Sequence, residues 1–595
     1  MKATSMRSIG ALHVLAVACV WSGASACGSD EVDVPETVVT SLALQRAWEG
    51  GEEGAPVFAD CLYASPLRYD RDGSSEIIVT AADVIAGISA ETGELLWSVD
   101  LPEPDGRRAF AAATPVIVDD LLVVGYQVWI SDEAGNSLDE GVNGLGAADA
   151  RDGHYVAVVD LSTRALSQEY PALRMEATLP GNGGDVSFRP ANQFGRGDLQ
   201  WAPGEDGTLG HVYVTYGNVR DIQPWHGWAF DISLDAWRTD PSTAVQSVLV
   251  TTPETDCGTA GVSGSTQRIC GGGLWAPSGP LVVEHDDTHS LVLAPANGQL
   301  DLARNDFANT LMRVAPGLSF EHGCDPDACA DFDVDAPSRE CIESCQNLFI
   351  PRPLPGEGPP DPASGICDGL EFFECWQQLD YIGGSTPVFI EVDEWKLLAY
   401  PTKDGHVYLV DFDNMGQMHD RMQLVEYCGT EDDACIWSWA GMIVTQPAVL
   451  SVDGEVRLVI PTFMPDSTHP AGVVSVAVVS TDEGPRFQRR WEYPNFSSDE
   501  AVASFRAHPS RAVVHPFGDQ QLVLLTEPDL GGIGRILALD GASGELQAAT
   551  PLAGSGYRFT RPLVIGDRVF VNSCTSDRGP GTLEAYDIVR VEPED

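Results

Sequence analysis

One short pattern recurs along the whole chain. Ile77-Ile78-Val79-Thr80, Val84 to Ser89 and Glu91-Thr92-Gly93-Glu94-Leu95-Leu96-Trp97 read as strand, strand, tight turn and strand. The β-branched runs and the Thr-Gly pair are hairpin signals. Ile536 to Leu546 is nearly a copy, with Ser543-Gly544 at the turn. Weaker echoes stand at Val156–Thr163, Trp228–Asp231, Asp404–Asp411 and Leu583–Asp587. One such unit cannot bury its apolar faces by itself, so neighbouring units must stack.

Each unit opens on an entry strand, usually with a proline after a small residue. The clear cases are Ser65-Pro66, Thr114-Pro115, Gly279-Pro280, Thr386-Pro387, Gln446-Pro447 and Arg561-Pro562. Pro509-Ser510-Arg511 is a variant, and a weaker unit lies near 188–250, which makes eight. A cysteine-rich stretch at 315–380 stands apart; without it each unit has about 61 residues, enough for four strands and loops. The pattern resembles the pyrroloquinoline-quinone (PQQ) type of β-propeller repeat. In that family Ala-x-Asp-x-x-Thr-Gly-x-x-x-Trp ties each blade to the next. Gly87 to Trp97 matches its Thr-Gly-x-x-x-Trp half, and Ala538 to Ala548 matches except that Ala548 replaces Trp. The resemblance implies an all-β, eight-bladed, quinoprotein-like propeller over 39–595, interrupted by a Cys-rich and Pro-rich insertion at 315–380. Two separate β-domains are the alternative. The last unit ends soon after Asp587, and Leu42 to Trp48 reads as its missing outer strand, which would cover an exposed sheet edge.

The N-terminus reads as a targeting segment. Lys2 and Arg7 precede the apolar run Ile9–Trp21, which is too short for a permanent span. Ala24-Ser25-Ala26-Cys27 resembles a bacterial lipoprotein box, in which the Cys becomes the lipidated first residue; Ala24 stands where that family usually carries Leu. Residues 1–26 are thus expected to be a lipoprotein signal, 27–38 a flexible acidic tether, and Cys27 the lipid attachment point. Ordinary secretion is the alternative. The expected location is the cell envelope, as an outer-membrane lipoprotein touching the membrane by its lipid only.

Twelve of the 14 cysteines follow Cys27, and an even set in an exported chain reads as disulfides. Cys257/Cys270, Cys367/Cys375 and Cys428/Cys435 are close in sequence. Cys324, Cys329, Cys341 and Cys345 lie in the insertion, where a helix from Pro337 would put Cys341 and Cys345 on one face. Cys61 and Cys574 have no close partner. A ring would bring them together, so a Cys61–Cys574 bridge is expected.

Composition narrows the function. Lys+Arg number 34 against 88 Asp+Glu, a net charge of −54, and only Lys2, Lys396 and Lys403 are lysines. No basic face is available to displace counterions, which excludes nucleic acid and basic docking on anionic lipid. Asp70, Asp72 and Glu76 share one turn and are the candidate calcium ligands, with a solvated strand turn as the plain alternative. In quinone-dependent dehydrogenases an Asn after Gly helps hold calcium under the quinone, beside adjacent cysteines, a Trp floor and an Asp base. Gly271-Gly272-Gly273-Leu274-Trp275, Ala296-Asn297-Gly298 and Tyr216-Gly217-Asn218 with Trp225 invite that comparison. No adjacent Cys pair occurs here, and no motif places the Asp. The glycines therefore read as close backbone approaches near the axis, and the asparagines as left-handed turn residues. His508 and His515 flank Ser510, without any hydrolase or phosphate-binding motif. The expectation is a propeller without cofactor, binding or scaffolding a protein, peptide or glycan of the envelope. The alternative is a PQQ-dependent dehydrogenase with calcium.

Overall fold

A computed structural model describes residues 42–591, apart from 53, 105–107, 130–150, 205–206, 219–224, 256–269, 286–287, 353–381, 426–442, 464–471, 495–506, 530–531 and 576–578. Eight antiparallel sheets of four or more strands follow one another, and they are the blades of the quinoprotein-like propeller that the repeat implies. Blade 1 is typical, with strands Leu67–Arg71, Ser74–Ala81, Val84–Ser89 and Leu95–Asp100. Its middle strands carry unbroken apolar runs because both faces are covered. Ile77 and Val79 face Phe570, Leu583 and Ala585 of blade 8. Ile78, between them in sequence, faces Leu122, Val124 and Ala157 of blade 2. Each such side chain contributes roughly 1.5–3 kcal/mol on burial.

The repeated Thr-Gly turn works between blades. Gly93, at φ +78, lies against the indole of Trp48, where a Cβ would come within 2.6 Å of the ring. Trp48 belongs to Leu42–Glu49, the outer strand of blade 8. Gly544 meets Trp491 of blade 6 in the same way, at 2.5 Å. In blade 2 the turn residue is Arg164, left-handed at φ 57. It ion-pairs with Glu76, which also accepts the Trp97 indole N–H at 2.7 Å. One blade's outer tryptophan thus seats the turn of the next blade.

The stretch 315–380 is not simply an interruption. Leu348–Phe349 is the fourth strand of blade 4, paired with Leu311 and Met312. Before it, Cys324–Cys345 and Cys329–Cys341 form nested disulfides around the short helix Arg339–Ser344. The helix begins near Pro337, as expected, with Ser338 as its cap. Cys345 falls just past its end. The loop supports blade 5. Gly416 and Met415 donate to the carbonyls of Cys345 and Gln346 at 2.7 and 3.1 Å, and Gln417 donates to Glu343 O at 2.8 Å. The loop occupies the place that an outer tryptophan takes elsewhere.

Candidate functional site on the propeller axis

A proline removes one N–H and holds the residue before it extended. The polar residues in front of the prolines are therefore free to bond sideways, and they do so around the whole molecule. Ser65 N donates to Thr114 Oγ1 at 3.0 Å, and Thr114 N to Asp198 Oδ1 at 3.2 Å. Gln200 Nε2 reaches Ser278 O at 3.0 Å, Thr386 Oγ1 reaches Gly279 O at 2.7 Å, and Gln446 Nε2 reaches Pro387 O at 3.0 Å. Val444 N donates to His508 Nε2 at 3.2 Å, Arg511 N to Thr560 O at 3.1 Å, and Arg561 N to Ser65 Oγ at 3.0 Å. These eight links join all eight blades into a closed ring. The weak sequence unit supplies Asp198 and Gln200 to it, without a proline.

Arg511 spans the ring. Its guanidinium donates to Asp198 Oδ2 at 2.6 Å, Ser278 Oγ at 3.0 Å and Ser65 Oγ at 2.7 Å. One side chain of blade 7 reaches blades 1, 3 and 4 only by lying near the axis. The ion pair is nearly buried, and Arg511 Nε has no hydrogen-bond partner.

Arginines and rings gather around this floor. The Arg196 guanidinium lies 5.3 Å from the Phe194 ring and 4.4 Å from the Phe559 ring. Arg558 lies 4.9 Å from Phe559. Tyr63 contacts Phe110 and Tyr557 at 5.5 and 5.1 Å between centroids. Burial, then the like charge of Arg511, lowers the Arg561 pKa, and burial lowers that of Arg196. Yet the Arg561 side chain is exposed and Arg196 partly so. These residues form an axial cluster of arginines and rings. The sequence reading missed all of them. Their one local signal is that Tyr63, Phe110, Phe194 and Tyr557 each stand a few residues ahead of a ring position.

The expected glycine approaches are present. A Cβ on Gly271, at φ +79, would lie 2.3 Å from Asn297 O, and one on Gly298 2.2 Å from Cys270 O. Asn218 and Asn297 are not left-handed, contrary to expectation; the glycines take that conformation, having no Cβ to clash. Trp275 carries the Lys403 ammonium over its ring at 4.0 Å.

The candidate calcium ligands are employed separately. Asp70 accepts from Arg68 and Ser75 at 2.9 and 2.6 Å, which lowers its pKa. Glu76 is buried with Trp97 and Arg164, and Asp72 points to solvent. Among the described residues no group of three or more His, Cys, Asp or Glu is arranged to hold a metal. Calcium needs six to eight convergent oxygens. With no adjacent cysteines in the sequence either, the described residues do not fit a quinone seated on calcium.

His508, Ser510 and His515 form no catalytic set. Ser510 Oγ bonds Arg511 O and Thr526 N, and His515 faces Asp567. His508 is buried in the ring, with its pKa pushed down to about 3 mainly by burial. Cys61 and Cys574 are joined by a disulfide, as expected. Cys270 is also disulfide-bonded; Cys257, its expected partner, lies outside the described residues, as do Cys27, Cys367, Cys375, Cys428 and Cys435.

No protein-family model matches the sequence, and no curated protein matches it. Among solved structures, quinohemoprotein alcohol dehydrogenase from Comamonas testosteroni is similar, at 12% identity and a TM-score of 0.49. The match covers 93% of this chain and 77% of that one. Sqt1 from Saccharomyces cerevisiae is similar at 7% identity and a TM-score of 0.41, over 90% of this chain and 98% of that one. Neither likeness carries an activity to this chain.

Proposed function

We propose that this chain is a non-catalytic binding propeller of the cell envelope, held there by lipid on Cys27, with the axial cluster of arginines and rings as its ligand site. One observation supports this reading above the others. The axial cluster gathers four arginines and a set of aromatic rings over a floor of polar groups that bond one another, and among the described residues no group of three or more His, Cys, Asp or Glu is arranged to hold a metal. Such a surface is suited to holding a ligand. The described disulfides suit an oxidising compartment. The test is reconstitution. Purified protein supplied with PQQ and calcium is expected to gain no cofactor absorbance and to reduce no dye. Either signal would replace this reading with a dehydrogenase. For the anchor, Cys27→Ser is expected to shift the protein from membranes to the soluble exported fraction.

A further inference from the structure

The last strand of a blade leaves a row of N–H and C=O groups without a ladder partner, and chains usually guard such an edge with Lys, Arg or Pro, or cover it. The rim of blade 5 is guarded. On its outer strand, Met418–Gln423, the carbonyls of His419 and Gln423 accept from Arg486 and Arg489 of blade 6. The outer strand of blade 1, Leu95–Asp100, reads Leu-Leu-Trp-Ser-Val-Asp, with no Lys, Arg or Pro. The nearby Arg164 of blade 2 pairs with Glu76 instead of this backbone. Leu95 N donates to Gly54 O at 3.3 Å, and among the described residues nothing bonds the outer edge beyond it, from Leu96 to Asp100. Apolar surface gathers at the same place. A bulge leaves Leu96 without a partner on Val84–Ser89, and Leu95 and Leu96 are 44% and 42% exposed. Val57, 54% exposed, follows on the loop that carries Gly54. These are three of the six large apolar side chains exposed among the described residues, so the exposure is concentrated here rather than scattered singly. Carboxylates flank it: Glu91 and Glu94 stand before the strand and Asp100 at its end, all exposed. Arg568, which donates to the Ala90 and Glu91 carbonyls, is already paired with Asp587.

We propose that the outer edge of blade 1 is a docking strand for a partner protein, which adds an extended segment that is apolar in its middle and carries Lys or Arg at both ends. Main-chain bonds to the open edge hold the segment. Leu95, Leu96 and Val57 take its apolar side chains, and the carboxylates at the two ends of the strand take its basic ones. A second copy of this chain is a poor occupant, because each carries a net charge of −54. The rim is separate from the axial cluster, so the proposal stands whether or not that cluster binds a ligand.

Calorimetric titration of the full chain with the peptide acetyl-RKVTVTVKR-amide tests this. Two further peptides keep its charge: one is N-methylated throughout its middle, and the other carries Gly and Ser in place of Val and Thr. Expected is saturable binding of the first peptide, with a Kd of about 1 mM or tighter, and binding weaker by about tenfold or more for the other two. Amide exchange should slow within Leu96–Asp100 when the first peptide is bound. Leu95→Ser/Leu96→Ser should weaken binding about tenfold with an unchanged melting temperature, since both side chains are exposed. Glu94→Gln/Asp100→Asn should weaken it and flatten its dependence on salt. No binding of the first peptide, equal binding of all three, or protection that arises only outside this strand would overturn the proposal. So would a wild-type dimer that Leu95→Ser/Leu96→Ser dissolves, because the edge would then belong to a second copy.

Discussion

Arg511 shows how much of a ring a single side chain can hold together. Removing one partner of a buried ion pair strands the other charge, a loss of about 3–5 kcal/mol. Its fixed position also sets the floor against which Arg561 and Arg196 stand. His508, in the neighbouring link, makes the ring sensitive to acid. Its Nδ1 donates to Pro509 O at 2.7 Å, and its Nε2 accepts from Val444, so the folded state holds it neutral. The folded pKa is about 3 against an ordinary 6.5. Below pH 6.5 the unfolded chain takes up a proton that the folded chain refuses. Stability is therefore complete above that pH and falls toward pH 3 by about 1.4 kcal/mol per unit. His226, lowered to about 4 by burial, adds to the slope over the upper part of that window. His508→Gln should flatten the decline of the urea midpoint between pH 6.5 and 4. An unchanged slope would show that His508 is not the group refusing the proton. None of this was legible in the sequence, where His508 stood out only as a neighbour of Ser510. A repeat reveals what the blades share, and the axial cluster is made by residues in which they differ.

At the scale of elements, the Thr-Gly turn was legible because its chemistry is local: a left-handed glycine and a tryptophan at a fixed distance along the chain. What the turn leans on was not legible, since that partner comes from another blade. The cysteine-rich loop is the clearest instance. Its spacing suggested staples, and it is stapled, but nothing in its residues tells that Gly416 lies against its carbonyls. A Cβ on Gly416 would come 2.7 Å from the carbonyl oxygens of Ile342, Glu343 and Cys345. Backbone held by two disulfides cannot easily retreat. Gly416→Ala should therefore lower stability by about 1–3 kcal/mol, as overpacking does. Gly184→Ala is the control, because nothing lies within 4 Å of its added Cβ. Equal urea midpoints for the two variants would mean that the loop is not a rigid support. Deleting residues 318–350 should cost far more, because Leu348, Phe349 and Ile350 leave the core with them. Loss of a cooperative melt is the expected result.

For the molecule as a whole, the question is how a ring made from one chain stays shut. Blade 8 is assembled from both ends: Leu42–Glu49 pairs along Gly581–Arg590, from Leu42 opposite Arg590 to Glu49 opposite Glu584. This closure could be read from the sequence, because a final unit short of one strand requires an N-terminal strand to complete it. A seam held by strand pairing alone would be the natural place for local opening, since exposed edges and termini open at low free energy. The disulfide Cys61–Cys574 closes a separation of 513 residues beside that seam, with both cysteines buried. In the chain-entropy picture so long a loop is worth about 5 kcal/mol, less any native strain. Its effect should be uneven around the ring. In Cys61→Ala/Cys574→Ala, amide exchange should quicken first in Leu42–Glu49 and the rest of blade 8. Val407–Val410 in blade 5, fully buried opposite the seam, should keep its protection until the whole ring unfolds. A uniform rise around all eight blades would mean that the ring opens as one cooperative body and that the bridge acts only on the unfolded chain.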